Sequence, residues 1–251
     1  MRTLVVIPTY NEAESIAGLV EQVLAARQDI EALVVDDGSP DGTAGIVKKA
    51  MAAEARLHLL ERTAKEGLGA AYRAGFRWGL ARDYDALVEM DADFSHPPER
   101  LPALIDALDS ADVSIGSRYV PGGHTVGWSP VRKAISKLGN AYVRAVISLP
   151  VRDATAGYRA FRHEVLRALA VESSESNGYC FQIEMAHRAW QEGFRIVEVP
   201  ITFTERVAGS SKMHRRIVLE ALVRVTGWAL HGGRRRVRVH HELSVASPSR
   251  A

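Results

Sequence analysis

Short apolar runs alternate with segments of helical spacing through the first 120 residues of the chain. Leu4–Ile7 is a β-branched run, and Glu12–Arg27 carries apolar residues at helical intervals. Leu33–Val35 is a second run, and it ends in the turn-rich stretch Asp36–Gly42. Helix is predicted over Thr43–Ala55, strand over Leu57–Leu60, helix over Glu66–Ala81 and strand over Ala86–Met90. Pro98–Leu108 reads as a helix with prolines suited to its first turn. Val113–Gly116 closes the series as a strand. Strands alternating with helices predict an α/β, Rossmann-like domain with a mostly parallel sheet flanked by helices. Its ligand is expected at the carboxyl ends of the strands.

Past Gly122 the alternation stops. Val131–Leu149 places apolar residues at 131, 134, 135, 138, 142, 145, 146 and 149, the repeat of an amphipathic helix. Arg132, Lys133, Lys137 and Arg144 occupy its other positions. A second stripe runs through Val218, Ala221, Leu222, Val225 and Trp228, within a helix expected over 216–230. Two readings fit both helices: they lie on an anionic membrane surface, or they pack on the sheet with their arginines in water. No stretch reaches the ~18 apolar residues of a spanning helix, since Ile217–Leu230 contains Glu220 and Arg224. The N-terminal apolar run is too short for a signal peptide.

Charge sharpens this picture. The 251 residues carry a net charge of only +2, but from Arg206 onward there are ten Lys/Arg against two Asp/Glu. An acidic body with a basic end points to an anionic partner there. Residues 1–231 are expected to form one domain and 232–251 a basic, disordered tail. With 47% hydrophobic and 25% charged residues, the composition excludes global disorder. Cys180 is the only cysteine, which excludes an internal disulfide and a cysteine zinc cluster and suits a cytoplasmic setting.

Three polar loops follow predicted strands: Pro8–Glu12, Asp36–Gly42 and Asp91–His96. No G-x-G-x-x-G follows the first strand, which argues against a nicotinamide enzyme; Gly67 and Gly69 read as loop and helix-packing glycines. Asp91 and Asp93 sit two apart at a strand end, so both carboxylates can face one point. They suit Mg2+ or Mn2+ carrying a substrate phosphate, with Ser95 as a further oxygen; a turn or helix-capping pair is the alternative. Asp36–Ser39 fits either a ribose or base contact, or an Asx-turn before a helix. Arg118, Arg132, Arg206 and Lys212 are the candidate cations for a departing diphosphate. Arg206 and Lys212 flank a Gly/Ser loop that resembles a lid closing on phosphate.

The blocks IPTYNE (7–12), DDGSPDGT (36–43), EMDADFSHPPE (89–99), GSRYVPGG (116–123), DATAGYRAF (153–161) and VPITFTERVAGSSKM (199–213) resemble those of dolichyl- or polyprenyl-phosphate mannosyltransferases. These are inverting family 2 glycosyltransferases with a GT-A fold, and the resemblance spans about residues 3–230. It implies GDP-mannose as donor and an isoprenoid phosphate as acceptor and nucleophile. It places Pro8, Tyr10, Glu12, Val35 and Asp37 at the guanosine, and Asp91, Ala92 and Asp93 at the metal and diphosphate. Arg118, Arg206 and Lys212 match phosphate-contacting positions; Arg132 and Ser136 match acceptor-phosphate positions. Asp93, Arg118, Arg132 and Arg206 are thus the expected catalytic set. Some members have Gln where Ser95 stands, and Ala156 stands where Ser is common. Many members carry C-terminal membrane spans, so this chain resembles the peripherally bound type, at the cytoplasmic face of a membrane. A membrane-embedded partner protein stays open. Rival readings are another donor such as UDP-glucose, a nucleotide sensor, and an anion- or nucleic-acid-binding protein using the basic tail. The acidic body and the lack of a recognised binding motif argue against nucleic acid.

Overall fold

The computed structural model describes residues 1–174, 176, 178–205 and 215–231, with side chains of the last segment described over 222–230. The first half follows the alternation seen in the sequence. It runs β1 (Thr3–Thr9), α1 (Ile16–Ala26), β2 (Ile30–Asp36), α2 (Thr43–Met51), β3 (Leu57–Glu61), α3 (Leu68–Leu80), β4 (Ala86–Glu89), α4 (Leu101–Asp106, between two 3-10 turns) and β5 (Val113–Ser117). The second half contains β6 (His124–Val126), α5 (Pro130–Ile147), β7 (Arg159–Arg162), α6 (His163–Ala168), α7 (Gly178–Gln191), β8 (Ile196–Pro200), β9 (Thr202–Thr204) and α8 (Arg215–His231).

Seven strands form the main sheet in the order β3-β2-β1-β4-β7-β5-β8, and β6 pairs with β9 in a separate two-stranded sheet. All neighbours in the main sheet are parallel except β7, which runs antiparallel between β4 and β5. The sheet is buried on both faces, which is why its strands read as near-continuous apolar runs. Alternate residues feed two cores. Leu4, Val6, Leu33, Val35 and Leu87 meet α3, α5, α7 and α8 on one side. Val5, Ile7, Val34 and Val88 meet α1 and α4 on the other. Helix α3 lies unusually close to the sheet. A Cβ on Gly75 would stand 2.3 Å from Val6 Cγ1, so glycine alone fits there.

One expected boundary shifts for a local reason. Helix α1 starts at Ile16 rather than Glu12. Asn11 adopts φ +61°, and the Glu12 carbonyl already accepts the amides of Ser15 and Ile16, so residues 12–15 form a turn. Gly67, at φ +96°, is a loop glycine and Gly69 is buried in α3, as read from the sequence.

The two amphipathic helices differ. In α8, Val225 is buried and Trp228 packs on the core and stacks on His187, so that part of its stripe faces inward. In α5 the packed face is Asn140, Val143 and Ile147. The apolar stripe divides: Tyr142, Val146 and Leu149 pack against the core, whereas Val131, Ile135 and Leu138 are 68%, 47% and 70% exposed. Packing therefore explains part of both stripes, and leaves the N-terminal half of the α5 stripe uncovered.

Candidate active site

Because β2, β1 and β4 are parallel neighbours, their carboxyl ends bring the three polar loops to one edge of the sheet. The first two loops are laced together. The Asn11 amide donates to Ser39 Oγ (3.0 Å), that of Glu12 to Thr43 Oγ1 (3.1 Å) and that of Ala13 to Asp41 Oδ2 (3.0 Å). A cleft of about 500 Å3 opens above them. Pro8, Tyr10, Glu12 and Asp37 line one end, Asp91, Ala92, Asp93 and Ser95 the floor, and Arg118 and Arg132 the far wall.

The adjacent aspartates of β2 divide the two roles left open by their sequence. Asp36 makes the turn: its carboxylate accepts Thr9 Oγ1, Ser39 Oγ and the Ser39 amide. Asp37 faces the cleft and pairs with Arg62 at 2.6 Å. Burial raises its pKa, against the pull of that guanidinium. Val35 does not reach the cleft with its side chain, which is fully buried in the core. Lys65 was not singled out by sequence; its Nζ lies 3.6 Å from the Tyr10 ring centroid, and it lines the same end.

Asp91 and Asp93 are held by their surroundings. Tyr72 Oη donates to Asp91 Oδ1 (3.3 Å), and Asp93 Oδ1 accepts the Ser95 amide (3.1 Å). Phe94 between them and Ser95 takes φ +59°, a costly conformation for an aromatic residue. His96 locks the loop: its Nδ1 accepts the Asp91 amide at 3.0 Å, which puts its proton on Nε2. Burial lowers its pKa, so the imidazole is neutral near pH 7. Nothing in the sequence separated His96 from an ordinary loop histidine.

This donor set fits a hard divalent cation. Two carboxylates share the floor, and the buried Ser95 Oγ has no hydrogen-bond partner among the described residues. No group of three or more His, Cys, Asp or Glu side chains forms a complete cage among them. An ion held by Asp91 and Asp93 would keep positions for water and phosphate oxygens, as Mg2+ and Mn2+ do at nucleotide sites.

The cations of the far wall come already paired. Arg118 is 5% exposed, and its Nε and Nη2 donate to Asp153 at 2.7 and 2.5 Å. Burial alone would lower its pKa, but Asp153 raises it, so the charge is permanent. Glu198 in turn accepts the amides of Arg152 and Asp153, fixing that carboxylate. Arg132 forms an ion pair with Glu205 and lies 4.1 Å from the Trp128 ring centroid. Ser136, one turn further along α5, does not line the cleft; its Oγ accepts Tyr119 Oη at 2.7 Å. Arg206, Lys212 and the loop between them lie outside the described residues, as does 232–251.

Arg159 explains the DATAGYRAF block. Fully buried, it donates to the carbonyls of Ala154, Ala156 and Gln182. It therefore ties the 154–156 loop to α7 beneath the cleft. Glu89 stands opposite it in the β4–β7 register. Burial pushes the Glu89 carboxyl up to about 8 despite the nearby Arg159 and Gln182.

The glycosyl transferase family 2 model matches residues 4–170. The polyprenol monophosphomannose synthase of Mycolicibacterium smegmatis is 52% identical over 94% of this chain and 90% of its own length. The undecaprenyl-phosphate mannosyltransferase of Micrococcus luteus is 53% identical over 92% and 95%. The chain belongs to the polyprenyl-phosphate mannosyltransferase group of glycosyl transferase family 2. Its fold is that of a GT-A glycosyltransferase. A mannosyltransferase from Pyrobaculum calidifontis, solved with GDP-Man and Mn2+, superposes with a TM-score of 0.62 at 20% identity. That match covers 92% of this chain and 65% of the other. In this family 2 member no described helix is long and apolar enough to cross a membrane.

Proposed function

We propose that the chain transfers mannose from GDP-mannose to a polyprenyl phosphate, inverting the anomeric centre. One observation carries the reading: Asp91, Asp93 and Arg132 line a single cleft, and Arg132 lies on the helix whose Val131 and Ile135 are exposed. A site for a nucleoside diphosphate thus adjoins a cation beside an apolar ridge, which suits a phosphate on a lipid. The names of the two bacterial relatives and the GDP-Man in the Pyrobaculum structure support the same substrates.

Pro8, Tyr10, Glu12 and Asp37 would hold the guanosine. Asp91 and Asp93, with Ser95 beside them, would hold Mg2+ or Mn2+. When bound, that ion neutralises the charge of the leaving diphosphate. Arg206 and Lys212 would grip the same diphosphate from the lid. The acceptor needs no general base, because a phosphate monoester has a second pKa near ~6 and is largely dianionic at neutral pH. Arg132, with Ser136 behind it, would receive this nucleophile by exchanging Glu205 for the lipid phosphate. Arg118, held in place by Asp153, would turn its remaining N–H donors toward the anionic substrates. The enzyme would act from the cytoplasmic face of a membrane.

A transfer assay tests this. Purified chain, labelled GDP-mannose, a divalent metal and polyprenyl phosphate in detergent should place label in the lipid phase. Competition by GDP but not UDP is expected. Tight binding of GDP-mannose without transfer would overturn the acceptor; effective competition by UDP alone would overturn the donor. Activity of the chain by itself would show that no membrane-embedded partner is needed.

A further inference from the structure

The cleft contains a niche at Gly157. The backbone does not require glycine there: its φ lies outside the left-handed region, and a Cβ would meet its neighbours at ordinary contact distances. That Cβ would stand 3.5 Å from His96 Cε1 and 3.9 Å from both Asp91 Oδ2 and Gln182 Nε2. The missing methyl leaves room for a ligand group between the Asp91 loop and helix α7. Gly157 and Gln182 both line the cleft. Gln182 sits in the second turn of α7, and its carbonyl accepts Arg159 Nη1 at 2.6 Å, so its backbone is anchored. Its side chain is 2% exposed, yet neither Nε2 nor Oε1 has a hydrogen-bond partner among the described residues. Glu89 lies near enough for the amide to favour its charge, but the two are not in hydrogen-bonding geometry. An amide buried in this way costs stability until a partner arrives.

We infer that Gln182, through this niche, pairs with a hydroxyl of the transferred hexose and so helps to select the sugar. The inference rests on the proposed nucleotide-sugar donor. The amide itself narrows the chemistry of its partner. One of its orphaned atoms only donates and the other only accepts, whichever way the group is turned. A dianionic phosphate only accepts, so the Gln182 oxygen would repel it. A metal ion would take the oxygen and leave the NH2 unpaired. A hydroxyl both donates and accepts, which matches both atoms. Position agrees with this. A hexose whose diphosphate is held at Asp91 lies beside that carboxylate, and Asp91 borders the niche. Trp128 provides the contrast. Its Nε1 is also buried without a partner among the described residues, but it can only donate. Its ring centroid lies 5.2 and 4.1 Å from the guanidinium carbons of Arg118 and Arg132, where phosphate oxygens are expected. A site built to hydrogen-bond a hydroxyl rejects analogues that lack it, because its own polar atoms are then left unpaired.

The test is calorimetric titration of the full chain, with Mn2+ present, by GDP and by GDP-mannose. Gln182→Met keeps the length of the side chain and removes both polar atoms. Gly157→Ala fills the niche and keeps Gln182. Each variant should bind GDP-mannose about tenfold more weakly than wild type, with GDP affinity unchanged and the thermal unfolding midpoint not lowered. That split separates sugar recognition from a structural role, which would weaken both ligands together. In a series of monodeoxy analogues of GDP-mannose, one should bind Gln182→Met as tightly as GDP-mannose binds that variant, and should bind wild type about tenfold more weakly than GDP-mannose does. Wild-type affinity for GDP-mannose in both variants would overturn the inference; a niche that holds only water gives that result. Parallel losses for GDP and GDP-mannose would overturn it equally. Should Gln182→Met fail to fold, Gly157→Ala decides alone. If wild type bound neither GDP nor GDP-mannose, the donor reading itself would fall, and this inference with it.

Discussion

The proposed donor end and the proposed acceptor end of the cleft are held in different ways. At the donor end the carboxylates are held by hydrogen bonds from near neighbours (Asp36 by Ser39, Asp41 by Thr43, Asp93 by Ser95) and from adjoining elements (Asp36 by Thr9, Asp91 by Tyr72). At the acceptor end each cation is held by a carboxylate from far along the chain: Arg118 by Asp153 and Arg132 by Glu205. Local hydrogen bonds can present carboxylates to an incoming cation, because the ligand completes the site. A buried cation has no such option before its anion arrives, and an unpaired charge out of water costs several kcal/mol. In the proposed reading the acceptor end carries two stand-in anions, Asp153 permanent and Glu205 exchangeable.

The largest effect should come from the donor end. Asp93→Ala is expected to lower turnover by at least about a hundredfold while leaving the thermal unfolding curve in place, and retained metal-dependent activity would remove the metal assignment. Next is the permanent stand-in. Asp153→Asn leaves Arg118 buried without a counter-charge and should cost about 3–5 kcal/mol in denaturant unfolding; a stability equal to wild type would show that Arg118 is not held as described. The exchangeable stand-in should behave differently. Arg132→Ala should raise the KM for lipid phosphate more than that for GDP-mannose. Glu205→Gln should lower the lipid KM several-fold, since a neutral partner competes less for the guanidinium. A raised lipid KM in Glu205→Gln would mean that the carboxylate positions Arg132 instead of standing in for substrate.

The smallest effect lies at the opposite end of β2, far from the cleft, and serves as the reference. Burial raises the Glu31 pKa, but Arg2, Tyr84 and His58 outweigh it and hold the carboxyl at about 2, against 4.5 when free. Its contribution to stability is complete above about pH 4.5 and is lost as pH falls toward 2. Glu31→Gln should reduce the acid-induced loss of stability in that window without changing activity at neutral pH.

The same division decides what the sequence revealed. The strands and helices of the first half were legible because each is an apolar run or stripe bounded by turn residues, and the DAD and DDGS loops follow them directly. Strand β7 was not legible. It has four residues, two of them arginines, and pairs antiparallel across strands distant in sequence. Strands β6 and β9 are three residues each and have no buried face to impose an alternation. Helix α7 buries Gln182, Glu184 and His187 along with its apolar residues, which blurs its pattern. In the site, the carboxylates were visible and their keepers were not. His96, Asp153, Glu205 and Arg159 act through contacts that no spacing rule encodes. Val35 shows the converse: a position matched by resemblance whose side chain belongs to the core.

Arg159 has a consequence for turnover. It gathers the Ala154, Ala156 and Gln182 carbonyls around one immobile group at the base of the cleft. The conformational freedom of that loop is then surrendered once, when the chain folds, and not again each time substrates enter. In hydrogen exchange the backbone beneath the cleft should be as slow in the empty protein as in the loaded one, so that any rigidifying on binding is confined to the loops above it.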